Sequence, residues 1–136
     1  MVNFSTLAFT VFAAASLVSS SPTPSNARSD LVARKTGTQC FGQTMDAGDV
    51  AKAQQQMIDF CNNGGLWSDN SQMRFTSGDV TVFGCNYGGQ QECHEEDLRV
   101  FFAEIDRSCN ESGAGFWSQE NWKVTYGRTL HGNSVC

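Results

Sequence analysis

Residues 93–109 read CHEEDLRVFFAEIDRSC. Leu98, Phe101, Phe102, Ile105 and Cys109 recur at the alternating three- and four-residue spacing that gathers apolar side chains on one face of a helix. Glu95, Glu96 and Asp97 fall in the first turn, where carboxylates meet the positive end of the helix dipole. The stretch therefore predicts a helix from about Cys93 to Cys109. Its two cysteines are sixteen residues apart. At about 1.5 Å of rise per residue they stand roughly 24 Å apart, whereas a disulfide needs Cα atoms within about 7 Å. They cannot bond to each other. The helix is expected to be pinned to different segments at its two ends, one in a first helix or a hairpin, the other in a first strand or the tail.

Those other segments follow from the flanking sequence. Gln39–Thr44 (QCFGQT) reads as a short first strand. Asp46 or Asp49 can cap a helix to about Cys61, with Val50, Ala53, Met57 and Cys61 at helical spacing and Asn62-Asn63-Gly64-Gly65 as the stop. Gln72–Thr76 and Val80–Asn86 are extended, joined by a hairpin turn at Ser77-Gly78-Asp79. Asn110–Gly115 reads as a polar loop. Trp122, Val124 and Tyr126 alternate with Lys123 and Thr125 as a half-buried strand. The order β-α-β-β-α-β predicts an α+β fold, a small antiparallel sheet with two helices on one face. This is the split βαβ, ferredoxin-like sandwich.

Cysteine usage sets the setting of that fold. Cys40, Cys61, Cys85, Cys93, Cys109 and Cys136 all follow residue 39. An even count in a short exported chain reads as a disulfide framework, here three intramolecular bonds and no free thiol. Each contributes roughly 2–4 kcal/mol. Leu7–Val18 is an uncharged apolar run, shorter than the roughly twenty residues a membrane span needs. With Ser19, Ser20 and Ser21 behind it, residues 1–20 read as a signal peptide. Residues 21–37 hold both prolines and the Arg34-Lys35 pair, and serve either as a solvated spacer or as a propeptide. Residues 38–136 then form a single disulfide-rich domain of a secreted, extracellular protein with no membrane span, expected to be a monomer.

Charge narrows the partners. The chain carries 9 Lys and Arg against 14 Asp and Glu. Residues 1–35 hold Arg28, Arg34, Lys35 and Asp30, so without them 6 basic and 13 acidic residues remain, a formal charge of −7. That balance opposes binding to nucleic acid or to anionic membranes.

Candidates for chemistry are few. Cys93-His94-Glu95-Glu96 lacks the further Cys or His ligands at regular spacing that zinc prefers, so neither a metal nor another cofactor is expected. His94 and His131 are the only histidines. A secreted ribonuclease could use both, or one with Glu95, Glu96 or Glu120, as acid and base. Arg99, Arg107 or Arg128 would then face the phosphate. Asp49-Val-Ala-Lys-Ala-Gln54 faintly resembles one helix of the small fungal guanyl-specific ribonucleases, but that family's Glu-bearing strand motif and His-Thr-Gly segment are absent. No Gly-x-Ser-x-Gly elbow occurs. No catalytic residue is therefore assigned, and solvated histidines are the plainer reading. Trp67, Phe116 and Trp117 either complete the core or are candidate binding aromatics for a protein or a cell-wall carbohydrate, while Trp122 is expected in the core. Asn110-Glu-Ser is an N-glycosylation acceptor. Asn3-Phe-Ser also matches but lies in the signal.

One wider pattern remains. Asp59-Phe-Cys61, Trp67, Gly84-Cys85, the second helix, Tyr126-Gly127-Arg128 and the final Cys136 together resemble small secreted fungal effectors of the necrosis-inducing type. Cys85, the Cys93–Cys109 helix and a late strand closing on Cys136 are also similar to killer-toxin-like secreted α/β-sandwich proteins. The likeness spans residues 40–136. The cysteine count differs from both families, so neither a pairing nor a functional residue carries over. The resemblance implies a non-catalytic, toxin-like secreted effector that binds an extracellular protein or cell-wall target of a host or competing microbe. A secreted hydrolase such as a ribonuclease, or a wall carbohydrate-binding protein, is the alternative.

Overall fold

The computed structural model describes residues 36–136. The expected signal peptide, and all of the spacer but its last two residues, lie outside them. Within them the elements are β1 (Gly37–Thr44), α1 (Ala47–Asn62), β2 (Leu66–Trp67), β3 (Ser71–Ser77), β4 (Val80–Asn86), β5 (Gln91–Glu92), α2 (Glu95–Cys109), β6 (Gly113–Gln119) and β7 (Val124–Leu130). The α+β reading holds. Asp46 caps α1 by accepting from the Asp49 N–H at 2.9 Å, which satisfies one of the donors left open at a helix start. The apolar stripe of α2 is buried as its spacing requires: Leu98, Phe101, Phe102, Ile105 and Cys109.

Five strands form an antiparallel sheet in the order β1-β6-β7-β4-β3, and β2 pairs with β5 in a separate ribbon. Both helices cover one face. Ser77, opposite Val80, donates to Asp49 of α1, while Arg128, opposite Val82, pairs with Asp106 of α2. Val80 and Val82 point to the same side of β4 because side chains repeat every second residue. The main core between sheet and helices gathers Val50, Ala53, Met57, Leu98, Ile105, Val124 and Tyr126.

The strand order departs from the split βαβ expectation. The neighbouring strands are antiparallel as expected, but β1 is an edge strand paired with β6. The cause is a strand that sequence reading takes for a loop. Its glycines hide β6, yet close packing requires them. A side chain at Gly113 would stand 1.5 Å from the Cys109 carbonyl oxygen, and one at Gly115 would meet the Gln39 carbonyl at 2.7 Å and the Cys109 sulfur at 2.8 Å. The strand threads between β1 and the end of α2, where no Cβ fits.

The three disulfides are Cys40–Cys109, Cys61–Cys93 and Cys85–Cys136, with Cα separations of 5.4, 5.1 and 5.5 Å, and no cysteine is free. The two ends of α2 are tied to different segments, as helix geometry demands, and of the alternatives open to them these are the first helix at one end and the first strand at the other. The third bond lays the segment after β7 across the far face of the sheet. There Val135 closes a second small core over Phe83, Cys85 and Phe116.

Arg128 has no exposed side-chain surface. Its Nε donates to the Gly113 carbonyl at 2.8 Å and its Nη2 to the Asn110 carbonyl at 2.9 Å. Its Nη1 sits 2.6 Å from Asp106 Oδ1. One guanidinium thus ties β7 to the C-terminal end of α2 and to the start of β6. Replacing it strands a carboxylate and two carbonyls. We expect Arg128→Leu to lower the unfolding free energy by roughly 3 kcal/mol in urea titrations. Arg107→Ala, which removes an exposed pair with Glu104, should change it by less than about 0.5 kcal/mol. Equal effects would contradict this role for Arg128.

Candidate functional site

The aromatic side chains form a continuous row from the interior to the surface. Trp67 lies against Tyr126 with ring centroids 5.6 Å apart. Tyr126 stacks on Phe101 at 4.9 Å, Phe101 stacks on Trp117 at 4.5 Å, and Trp122 meets Phe101 edge-on at 6.0 Å. These spacings lie in the range where aromatic pairs attract beyond their buried area. The row is set by three elements. Alternation on β7 turns Tyr126 toward the helices, register places Trp117 of β6 opposite it, and the stripe of α2 brings Phe101 between them.

This arrangement corrects the aromatic expectations. Trp67 and Phe116 are buried, at 5% and 7% exposure, so neither offers a surface for binding. Trp67 belongs to β2, which folds over Gly84 and so covers its own indole. Phe116 faces the far side of the sheet and tilts against Phe41 under the Cys136 segment. Trp117 is half-buried. Trp122, expected in the core, is 47% exposed. The alternation that suggested a strand from Trp122 breaks at Lys123, whose φ of 54° belongs to a turn, and β7 begins only at Val124.

With Leu66 and Val100, Trp122 completes the exposed large hydrophobic residues among those described. Its carbonyl accepts from Gln91 Nε2 at 2.7 Å, which ties the β6–β7 turn to the β2–β5 ribbon. Carboxylates flank this end of the molecule. Glu120 lies in the same turn, Glu96 and Asp97 begin α2, and Glu92 stands opposite Leu66. A hydrogen bond from Asn62, and then the Arg99 guanidinium, hold the Glu95 carboxyl below its usual range. An apolar, ring-bearing surface with a negative rim can anchor an aliphatic or cationic group of a partner.

The groups considered for acid–base chemistry are dispersed. The His131 backbone N–H donates to the Asp79 carbonyl at 2.7 Å in the β3–β4 turn, and its ring Nδ1 lies 3.3 Å from the Thr81 hydroxyl. That turn abuts the first turn of α1 through Ser77 and Asp49. His94 precedes α2, next to Cys93 and its bond to Cys61 in the last turn of α1. Asp49 and Cys61 are about 18 Å apart along that helix, so the two histidines stand at its opposite ends. The arginines are engaged as well: Arg99 with Glu95, Arg107 with Glu104, and Arg128 inside the fold. Among the described residues no cluster of His, Cys, Asp and Glu is arranged to hold a metal, and no helix is long and apolar enough to cross a membrane. Asn110, the glycosylation candidate, is exposed just beyond α2 with φ 68°.

Burial, with the Asp97 carboxylate adding to it, pushes the Tyr126 phenol well above its ordinary value of 10.0. The folded protein keeps this proton where the unfolded chain releases it, so stability is fully present below about pH 10 and falls as pH rises beyond it. We expect urea unfolding at a series of pH values above 9 to show this decline, and Tyr126→Phe to flatten it. The same slope in both proteins would place the phenol in water.

In comparisons with known proteins, the chain matches no family model, no curated protein and no solved structure.

Proposed function

We propose that the protein is a secreted, non-catalytic binding protein, toxin-like or effector-like, that acts on a host or a competing organism. The observation that carries this reading is the exposed Trp122 at the end of the aromatic row. A large ring held in water by a cross-linked scaffold costs solvation at rest, and contact with a partner recovers that cost. Three disulfides, of a kind typical of extracellular proteins, support action outside the cell. The acidic rim favours a protein partner with a basic or mixed surface over nucleic acid. The separation of His94 from His131 weighs against a two-histidine ribonuclease.

The test is to apply the oxidised protein, fluorescently labelled, to plant tissue and to competing fungi, with a reduced and alkylated control. The expected result is saturable surface decoration, accompanied by cell death or growth inhibition. It should be lost on reduction and weakened at least about tenfold by Trp122→Ala, on the scale of an aromatic hot spot. No decoration of any target, or decoration indifferent to Trp122, would overturn the proposal. Cleavage of RNA that disappears in His94→Ala or His131→Ala would replace it with the hydrolase reading.

A further inference from the structure

A second feature lies at the ends of β3 and β4 remote from their turn, beside the Cys85–Cys136 bond. A cavity of about 280 Å³ is lined there by Asn70, Ser71, Gln72, Asn86, Tyr87 and Cys136. None of these side chains carries a charge. The walls are held in place by Asn86, which is 1% exposed. Its Nδ2 donates to the carbonyls of Ser68 at 2.8 Å and Gly89 at 2.9 Å. Its Oδ1 accepts from the Gly88 N–H at 2.9 Å and from Gln91 Nε2 at 3.0 Å. One buried amide thus clamps the loop before β3 to the loop after β4, and its own bonding capacity is spent. Ser71 Oγ adds a bond to the Ser68 carbonyl, and the disulfide fixes the wall at Cys136.

The groups with capacity left are amides. Gln72 Oε1 accepts from Arg74 at 2.9 Å, which orients the side chain and leaves its NH₂ to donate. Tyr87 is half-buried against the second core, and burial pushes its phenol above the ordinary value, so it contributes the surface of a neutral ring. The Gln72 NH₂ can donate to a hydroxyl oxygen, and the Asn70 amide can both donate to and accept from a hydroxyl group. An aromatic wall matches the C–H face of a sugar ring. No lining charge selects an anion. The volume lies just below the roughly 300–1,000 Å³ of typical small-molecule sites, room for one ring. The clamped loops reduce the ordering cost that binding would otherwise incur.

We infer that this cavity is a subsite for one neutral saccharide unit, an uncharged hexose or N-acetylhexosamine of a cell-wall polysaccharide. It adjoins the turn that carries Trp122, since the Tyr87 backbone N–H donates to the Lys123 carbonyl at 2.8 Å and Gln91 Nε2 reaches both Asn86 and the Trp122 carbonyl, but the Trp122 ring is not part of its lining. β3 is the outer strand of the sheet, an edge position that suits an internal unit of a polymer.

The test is titration of the oxidised, isotope-labelled protein with chitotetraose, laminaritetraose and tetragalacturonate, followed by two-dimensional NMR. The expected result is saturable shifts at Gln72 and Tyr87 with at least one neutral tetrasaccharide and none with the charged one. Tyr87→Ala and Gln72→Ala should each weaken that binding by about tenfold or more, and Trp122→Ala should leave it intact. Gln72 is exposed on an edge strand, so its variant carries the test even if Tyr87→Ala disturbs the fold. No saturable shift with either neutral sugar would overturn the inference. So would shifts centred on Trp122, preferential binding of tetragalacturonate, or full binding by Gln72→Ala.

Discussion

The structure depends on α2 being anchored at both ends. A helix of this length is marginal in isolation, and its polar face offers little to hold it down. Cys93 fastens its start to the last turn of α1, and Cys109 fastens its end to β1. The bonds join residues 32 and 69 positions apart in sequence, so each removes substantial freedom from the unfolded chain. Between those fixed points the stripe of α2 has one place to go. Leu98 and Ile105 enter the core, Phe101 enters the aromatic row, and Asp106 meets Arg128. The close approach of Cys109 to Gly113 and Gly115 belongs to the same constraint. A helix free to lift by an ångström would not need glycine beneath it.

The third disulfide does for the far face what the first two do for α2. A five-stranded sheet with helices on one side has a second face to account for. Here the Cys85–Cys136 bond draws Val135 over Phe83 and Phe116. Two cores, unequal in size, therefore share one sheet. The site argument follows from this division. Trp67 and Phe116 are spent on closing the two cores, which leaves Trp122 as the one exposed tryptophan, with Trp117 half-buried beside it and Tyr87 half-buried at the cavity.

Much of the fold is legible in the sequence because its strongest signals are local. The stripe of α2, the start of α1 at Asp46 or Asp49 and the Gly78 turn each declare themselves within a few residues. That α2 is pinned at its two ends to different segments follows from the rise of a helix and the reach of a disulfide; that those segments are α1 and β1, and not the hairpin or the tail, is seen only in the fold. What stays hidden depends on distant contacts. β6 reads as a loop because Gly113 and Gly115 answer to Cys109 and Gln39, not to their neighbours. The sequence leaves Trp67 open between core and surface because only the ribbon with β5 turns it inward, and two-residue strands leave no periodicity. Trp122 reads as core because alternation continues one step past a turn that Lys123 actually makes. The cavity beside the Cys85–Cys136 bond has no sequence motif. Asn86 joins two loops, and only their folded proximity gives its four hydrogen bonds meaning.

The account therefore stands on covalent connectivity more than on any single side chain. The direct measurement is peptide mapping of the oxidised protein, digested without reduction after alkylation of any free thiol, with intact mass before and after reduction. The expected result is three linked peptide pairs, Cys40 with Cys109, Cys61 with Cys93 and Cys85 with Cys136, and no alkylated cysteine. A Cys93–Cys109 pair, an exchange of partners among the three bonds, or an alkylatable thiol in the native protein would contradict it.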